Sequence, residues 1–322
     1  MEYRKLGRTG FEVSGVGHGL WGMSGWSGSS DEESLAALQL AVDLGCNFFD
    51  TAWAYGEGKS DGLLGEIMAR NAKKRLYAAS KIPPANDRWP ALPEYNYQDV
   101  FSPKHVFQYA DKIRKRLRTD TIDLLQFHVW DDSWTNESGF RSTVEKLKHD
   151  GWIRYFGLSI NRWQAENGIK ALRTGLVDVV QVIYNIFDQS PEDELFPVCQ
   201  ELNVGVIARV PFDEGSLGGK MTLETRFPKD DWRSGYFGPE NLAKTIKRVD
   251  KLKEILPAGM TLPEMALRFI LSHPVVGTTI AGMRKLDHVR QNFASDSGPL
   301  DTALLAELKK HRWDRTPQRW SD

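Results

Sequence analysis

Strand-like and helix-like runs alternate almost without a break along this chain. Few architectures satisfy that constraint; repeated βα units do, by laying parallel strands into one sheet with helices over it. Eight such units can be marked off in the sequence. Their strands fall at 13–19, 47–50, 76–80, 122–128, 155–159, 179–183, 204–209 and 276–280, and their helices at 31–44, 60–70, 103–117, 139–149, 163–174, 191–202, 240–256 and 286–294. The run Val204-Gly205-Val206-Ile207-Ala208 is nearly all apolar, as expected of a parallel strand covered on both faces. Ser30 and Asp31 suit the start of the first helix, and Ser102 followed by Pro103 suits the start of the third. At 322 residues the chain has the size at which α/β barrels form as one unit, and no linker divides it. Residues 1–322 are therefore expected to make a single domain.

Three segments leave this rhythm. Residues 3–13 predict a hairpin turning around residues 7–10, placed as a lid on the bottom of the sheet. Residues 83–101 carry four prolines with Trp89, Tyr95, Tyr97 and Phe101, which excludes a regular helix. Residues 211–239 follow the seventh strand and are rich in Gly. Loops this long in a compact domain are often functional lids, and both lie where a barrel has its active face.

Net charge narrows the partners. With 42 basic and 43 acidic residues the net charge is −1, so no field favours nucleic acid or an anionic membrane as the main partner. Cys46 and Cys199 are the only cysteines and read as buried packing thiols, in keeping with a reducing cytosol. No apolar stretch approaches a membrane span, and a soluble, cytoplasmic protein is expected.

Two glycine-rich decoys need separate treatment. Gly17-His18-Gly19-Leu20-Trp21-Gly22 matches a dinucleotide fingerprint, but no helix starts at its third Gly and no acidic residue stands at a strand end about 20 positions on. Those glycines instead suit close passage of backbone past a ligand, with Trp21 as a wall. Gly215-Ser216-Leu217-Gly218-Gly219-Lys220 lacks the spacing of a P-loop, which leaves phosphate contact through backbone N–H groups without kinase chemistry. The histidines include no helical pair with an adjacent glutamate, so no metal site is expected. Gly157-Leu158-Ser159-Ile160-Asn161 lacks the last Gly of a nucleophile elbow, which disfavours a hydrolase.

The chemistry gathers at strand ends. Asp50 and Tyr55 follow the second strand, Lys81 the third and His128 the fourth. A Tyr hydroxyl with a free pKa of about 10 is a poor acid at neutral pH, and a nearby Lys cation lowers it. In such a set Asp50 holds Lys81 and His128 orients a carbonyl, which points to a redox enzyme that handles carbonyls.

These residues also carry a resemblance. Asn47-Phe48-Phe49-Asp50-Thr51-Ala52-Trp53-Ala54-Tyr55-Gly56, Ser80-Lys81, Asp123-Leu124-Leu125-Gln126-Phe127-His128, Gly157-Leu158-Ser159 and Asn292 are similar, in order, to signatures of the aldo-keto reductase family. The resemblance runs over nearly the whole chain. It implies a (β/α)8 TIM barrel with an N-terminal β-hairpin and an additional C-terminal helix, and an extended nicotinamide cofactor bound without a Rossmann fold. It implies that Tyr55 is the general acid, with Asp50, Lys81 and His128 completing the catalytic set. For the cofactor it implies Gly19, Trp21, Ser159 and Gln181, with Ser159 and Gln181 on the carboxamide, although Ile160 stands where Asn is common and Asn161 comes one place late. Arg209, where many relatives stack an aromatic, matches a subset of bacterial members. Pro211, Phe212, Gly215, Ser216, Leu217 and Lys220 fit the pyrophosphate loop, and Gly282, Arg284, Gln291 and Asn292 the adenosine end. A guanidinium at 284 suits a 2′-phosphate, so NADP(H) is favoured, with NAD(H) the alternative; His288 stands where Arg or Gln is frequent.

The expected function is reduction of a small aldehyde, ketone or sugar, with Trp21, Trp53, Trp89 and Trp130 as substrate walls. A sugar or polyol dehydrogenase working oxidatively needs the same four residues. A nicotinamide-binding regulatory subunit resembling channel β subunits is a third reading.

Overall fold

The computed structural model describes residues 2–25, 28, 30–229, 231–295 and 298–315. Strands β1 (Tyr3–Lys5) and β2 (Glu12–Ser14) pair antiparallel as a hairpin. The run predicted at 13–19 is thus shared between two sheets: Val13 belongs to the hairpin and β3 (Val16–Gly19) to the barrel, with the change of partners at Gly15. Parallel strands β3, β4 (Phe48–Asp50), β5 (Tyr77–Ile82), β6 (Ile122–Phe127), β7 (Ile153–Ser159), β8 (Val179–Ile183), β9 (Gly205–Arg209) and β10 (Val276–Gly282) follow in sequence order around a closed barrel, and β10 pairs back to β3. This is the (β/α)8 barrel of the sequence reading.

Strand periodicity divides the apolar residues into two layers. Phe48, Ala79, Leu124, Val179 and Ile207 face inward and pack with Leu6, Phe11 and Val13 of the hairpin, which plugs the bottom. Gly7, at φ +50°, lies so close to the start of β9 that an added Cβ would sit 2.2 Å from the Gly205 nitrogen. Phe49, Ala78, Leu125, Val180, Val206 and Ala208, one residue out of phase, pack outward under the helices.

The helices are α1 (Asp31–Asp43), α2 (Lys59–Arg70), the short α3 (Tyr97–Phe101), α4 (Pro103–Leu117), α5 (Ser138–His149), α6 (Ile169–Arg173), α7 (Leu195–Leu202), the short α8 (Arg233–Tyr236), α9 (Pro239–Glu254), α10 (Leu262–Leu271), α11 (Leu286–Ala294) and α12 (Thr302–Lys309). Caps set several starts: Ser30 accepts from the Glu33 N–H, and Ser102 caps α4 with Pro103 behind it. The C-terminal helix expected by resemblance is α12.

Three helical expectations change. The helix predicted over 163–174 shrinks to α6, because Trp163 takes φ +53° and its indole donates to Asp188, which holds residues 162–168 out of the helix. In the loop at 83–101 the last five residues do form a helical turn, capped by Asn96. Helix α10 has no counterpart in the sequence reading. It is capped by Thr261 and buries Leu262, Met265, Ala266, Phe269 and Ile270, so it joins the main core while α9 is an added helix of the long loop.

Candidate active site

Strand register brings the predicted catalytic residues to one end of the barrel. Gly19 is opposite Asp50 and Gly282, Lys81 is opposite Gln126, Ser159 is opposite Gln181, and Arg209 is opposite Ile183. Gln181 lies at the middle of β8 and the others in the C-terminal halves of their strands, toward the face where such barrels carry their sites. Lys81 is fully buried and donates to Asp50 Oδ1 at 2.5 Å and to the Thr51 carbonyl at 2.9 Å. Gln181 donates to Asp50 Oδ2 at 2.8 Å, and Gln126 to the same oxygen at 3.5 Å. The Lys81 ammonium lies 5.1 Å from the centre of the Tyr55 ring, the Tyr55 and His128 rings meet edge-on at 5.7 Å, and the Trp89 ring stands edge-on to His128 at 4.6 Å.

Burial sets the protonation states. Part of each ring reaches the mouth, yet desolvation dominates at both Tyr55 and His128. Burial raises the Tyr55 pKa, and the neighbouring Lys81 pulls it back without cancelling the rise. The sequence expectation of a net lowering therefore does not hold: Lys81 acts in the predicted direction but is outweighed, and Tyr55 is a protonated donor at neutral pH. Burial, then Lys81 and Arg209, push His128 well below its usual range, so its imidazole is neutral. Burial lowers the Lys81 pKa, but Asp50 and Tyr55 more than offset it and hold the pKa above the ordinary value. The site thus presents a neutral phenol and a neutral imidazole backed by one fixed cation, an arrangement able to donate a proton to an oxygen on which charge develops.

A second buried acid underlies this set. Asp61 accepts from Ser80 Oγ at 2.9 Å, next to Lys81 in sequence. Its Oδ2 has no hydrogen bond among the described residues, although Thr51 lies close enough to favour the ionised form. Burial pushes the carboxyl up from 3.8 to about 6. A raised acid pKa favours folding fully below the unfolded value and ceases to as pH rises through about 6. Between pH 5 and pH 8 this group should withdraw about 1.4 kcal/mol of stability. Other groups titrate over the same range, so the difference is what counts: between pH 5 and pH 8 the wild type should lose about 1.4 kcal/mol relative to Asp61→Asn in urea denaturation, and equal pH dependence in the two would reject it.

Not every predicted residue lies at the mouth. Trp130 is fully buried, packed on Phe140 and Trp134, with its indole donating to Asp132, so it belongs to the core and is no substrate wall. Trp53 turns outward against Tyr109 and Lys112 of α4 and is likewise no wall. Trp89 and Trp21 remain, and Trp21 meets Trp232 of the long loop at 5.9 Å. Gln181 commits one N–H of its amide to Asp50, which leaves its second N–H and its carbonyl oxygen for the expected carboxamide. Asn161 does not compensate for Ile160: it brackets the Ala91 backbone, accepting at 3.2 Å and donating at 2.8 Å, and so pins the loop that carries Trp89.

In the loop after β9, the N–H groups of Gly215 and Leu217 both donate to the Phe212 carbonyl, and Ser216 Oγ donates to Asp213 at 2.7 Å. Gly215, Ser216 and Leu217 therefore shape the loop and do not offer those donors to a phosphate. Pro211 is buried and Phe212 half-buried. Arg209 donates to the Ile160 carbonyl at 3.0 Å, and burial followed by Arg162 pushes it down to about 10. At the far end Gly282, Lys220 and Gln291 are exposed, Arg284 is half-buried and Asn292 buried. Burial lowers the His288 pKa, and Lys220, Lys285 and Arg284 lower it further, which places cations from two loops around one point.

The sequence reading missed Gln126, Asp61, Arg162, Trp232 and Arg315. Gln126 was within reach, because it shares inward parity with Leu124 on β6.

A parallel barrel with a buried Lys–Asp pair behind a Tyr and a neutral His at its C-terminal mouth defines an oxidoreductase-type site. The model of the aldo/keto reductase family matches residues 15–312, and the chain belongs to that family, whose members use a nicotinamide cofactor. It is 29% identical to the oxidoreductase YqkF of Bacillus subtilis, covering 97% of this chain and 96% of that one. It is 27% identical to the Schizosaccharomyces pombe aldo-keto reductase yakc [NADP(+)], covering 95% and 90%. Among solved structures it resembles the glycerol dehydrogenase AKR11B4 of Gluconobacter oxydans, with TM-score 0.78, 26% identity and 99% and 98% coverage. Among the described residues no helix is long and apolar enough to cross a membrane, and no group of three or more His, Cys, Asp or Glu could hold a metal ion.

Proposed function

We propose that this protein reduces the carbonyl of a small aldehyde, ketone or sugar with NADPH, and that Tyr55 is the proton donor. The observation that carries this reading is the Asp50–Lys81 pair set behind Tyr55 and beside a neutral His128. Residues at the mouth suit the cofactor. His128 Nδ1 and Arg209 Nε are buried without hydrogen bonds among the described residues, and a Cβ added to Gly282 would meet nothing within 4 Å. Gly19, Trp21, Ser159, Arg209, Phe212, Lys220, Gly282, Arg284, Gln291 and Asn292 would hold the dinucleotide, which when bound supplies a hydride to the carbonyl carbon. His128 donates a hydrogen bond that fixes the carbonyl oxygen. Tyr55 gives that oxygen its proton as negative charge builds there, and Lys81 stabilises the phenolate left behind. Asp50, held by Gln181 and Gln126, keeps Lys81 in place. Solvent at the mouth returns a proton to Tyr55. Trp21, Trp89 and Trp232 give the substrate aromatic faces.

NADP(H) over NAD(H) is supported by the cations around His288 and by similarity to the NADP(+)-named yeast enzyme. Arg284→Ala should therefore weaken NADPH by about tenfold or more and NADH little, because a charge-assisted bond to the 2′-phosphate is lost. Fluorescence titration with both cofactors reads this, and equal losses would reject the role. A panel of aromatic aldehydes, dicarbonyls and sugars then tests the activity; no NADPH oxidation with any of them would overturn it. Likeness to a glycerol dehydrogenase favours polyol oxidation at the same residues as the second reading.

A further inference from the structure

The strained segment of the barrel mouth is held from the far end of the chain. Val210, Asp213 and Glu214 take φ values of +59°, +44° and +57°, a conformation that side-chain-bearing residues rarely adopt, least of all a β-branched one. Such backbone persists only where its surroundings over-determine it. Local partners supply part of that constraint. Asn185 donates to the Val210 carbonyl at 3.0 Å, Ser216 bonds Asp213, and Arg162 pairs with Glu214.

The remaining constraint is remote. Past α12 the chain crosses back toward the mouth, anchored by the Trp313 N–H on the Phe187 carbonyl at 2.8 Å. It delivers Arg315, whose side chain is 7% exposed, between two carboxylates. One arm of the guanidinium meets Asp188 Oδ2 at 2.5 Å, and the other meets Asp213 Oδ1 at 2.7 Å and the Tyr236 hydroxyl at 2.6 Å. Asp188 follows β8, Asp213 follows β9 and Tyr236 belongs to α8. A single planar cation thus joins three segments of the mouth, and through Asp213 it reaches Ser216 and the turn before Lys220. A Lys in its place could pair with one carboxylate but not fork between two.

We propose that Arg315 is a positioning residue for cofactor binding: by clamping Asp213 against Asp188 and Tyr236 it holds residues 210–217 in the shape that receives the dinucleotide. This rests on the reading of residues 211–220 as the cofactor loop. The clamp acts on affinity, because Arg315 lies outside the group of Tyr55, Lys81 and His128 and the strained loop is what it holds.

The test compares full-length wild type with Arg315→Met, Arg315→Lys, Lys220→Ala and Arg284→Ala. NADPH dissociation is followed by fluorescence, kcat at saturating NADPH by turnover, and loop order by hydrogen exchange of the 210–217 amides. Arg315→Met should weaken NADPH about tenfold or more, chiefly through faster dissociation, while kcat at saturation stays near the wild-type value and loop exchange rises. Arg315→Lys should fall between, and it carries the test alone if Arg315→Met does not fold. Unchanged affinity and exchange would overturn the proposal, as would a loss shared equally by kcat. If Lys220→Ala and Arg284→Ala both keep wild-type affinity, the cofactor-loop reading itself has failed. If they weaken NADPH and the Arg315 variants do not, only the clamp has failed.

Discussion

Tyr55→Phe should lower carbonyl reduction by about 10²–10⁴-fold, the usual contribution of a positioned acid, while NADPH affinity stays close to that of the wild type. The ring is retained, so its edge-on contact with His128 and its place over the Lys81 ammonium survive, and only the proton is removed. Because burial raises the Tyr55 pKa and lowers that of His128, the wild-type reduction rate should show no step near pH 6.5. A step there that persists in Asp61→Asn would mean that His128 titrates within the working range. Retained turnover in Tyr55→Phe would remove Tyr55 from the mechanism altogether. Single-turnover kinetics with saturating NADPH separates that result from weakened binding.

The second large effect concerns stability as well as rate. Lys81 and Asp50 are 0% and 1% exposed, so Lys81→Met leaves a carboxylate buried with amide donors alone and should cost about 3–5 kcal/mol. Adding Asp50→Asn should recover part of that loss, since a neutral amide replaces the unpaired charge and can still accept from Gln181. Urea denaturation of both variants reads the difference. A loss under about 1 kcal/mol in Lys81→Met, or a double variant as unstable as the sum of the singles, would show that the pair is not the buried ion pair described. Both variants should be as slow as Tyr55→Phe, because the phenolate left after proton transfer loses its nearest cation.

Much of this was legible in the residues. Strands are short, apolar and bounded by turn residues, so their places could be read to within a few positions, and Ser102-Pro103 marked the start of α4 at the residue where the structure has it. Asp50, Tyr55, Lys81 and His128 were legible because strand ends of a parallel barrel all open on one face. Side chains beyond a strand's last residue obey no such rule. Trp130 comes three residues after β6 and Trp53 three after β4, where the alternation of faces has ended, and both turned into packing against helices. Helix α10 escaped notice although its signals were present: Thr261 caps it by accepting from the Glu264 N–H, Pro263 stands in its first turn, and Glu264 and Arg268 share one polar face.

Local pattern, which depends on neighbours a few residues apart, was enough to determine the barrel, its bottom plug and the meeting of Asp50, Tyr55, Lys81 and His128 at one end of it. The tertiary structure decided what depends on contacts between distant segments. Burial reversed the net shift at Tyr55, Asp50 captured one N–H of the Gln181 amide, Asn161 went to the Trp89 loop, and Arg315 reached Asp213 from the opposite end of the last helices. Desolvation and ion pairing act through space, and which groups come to share that space is settled only when the barrel closes.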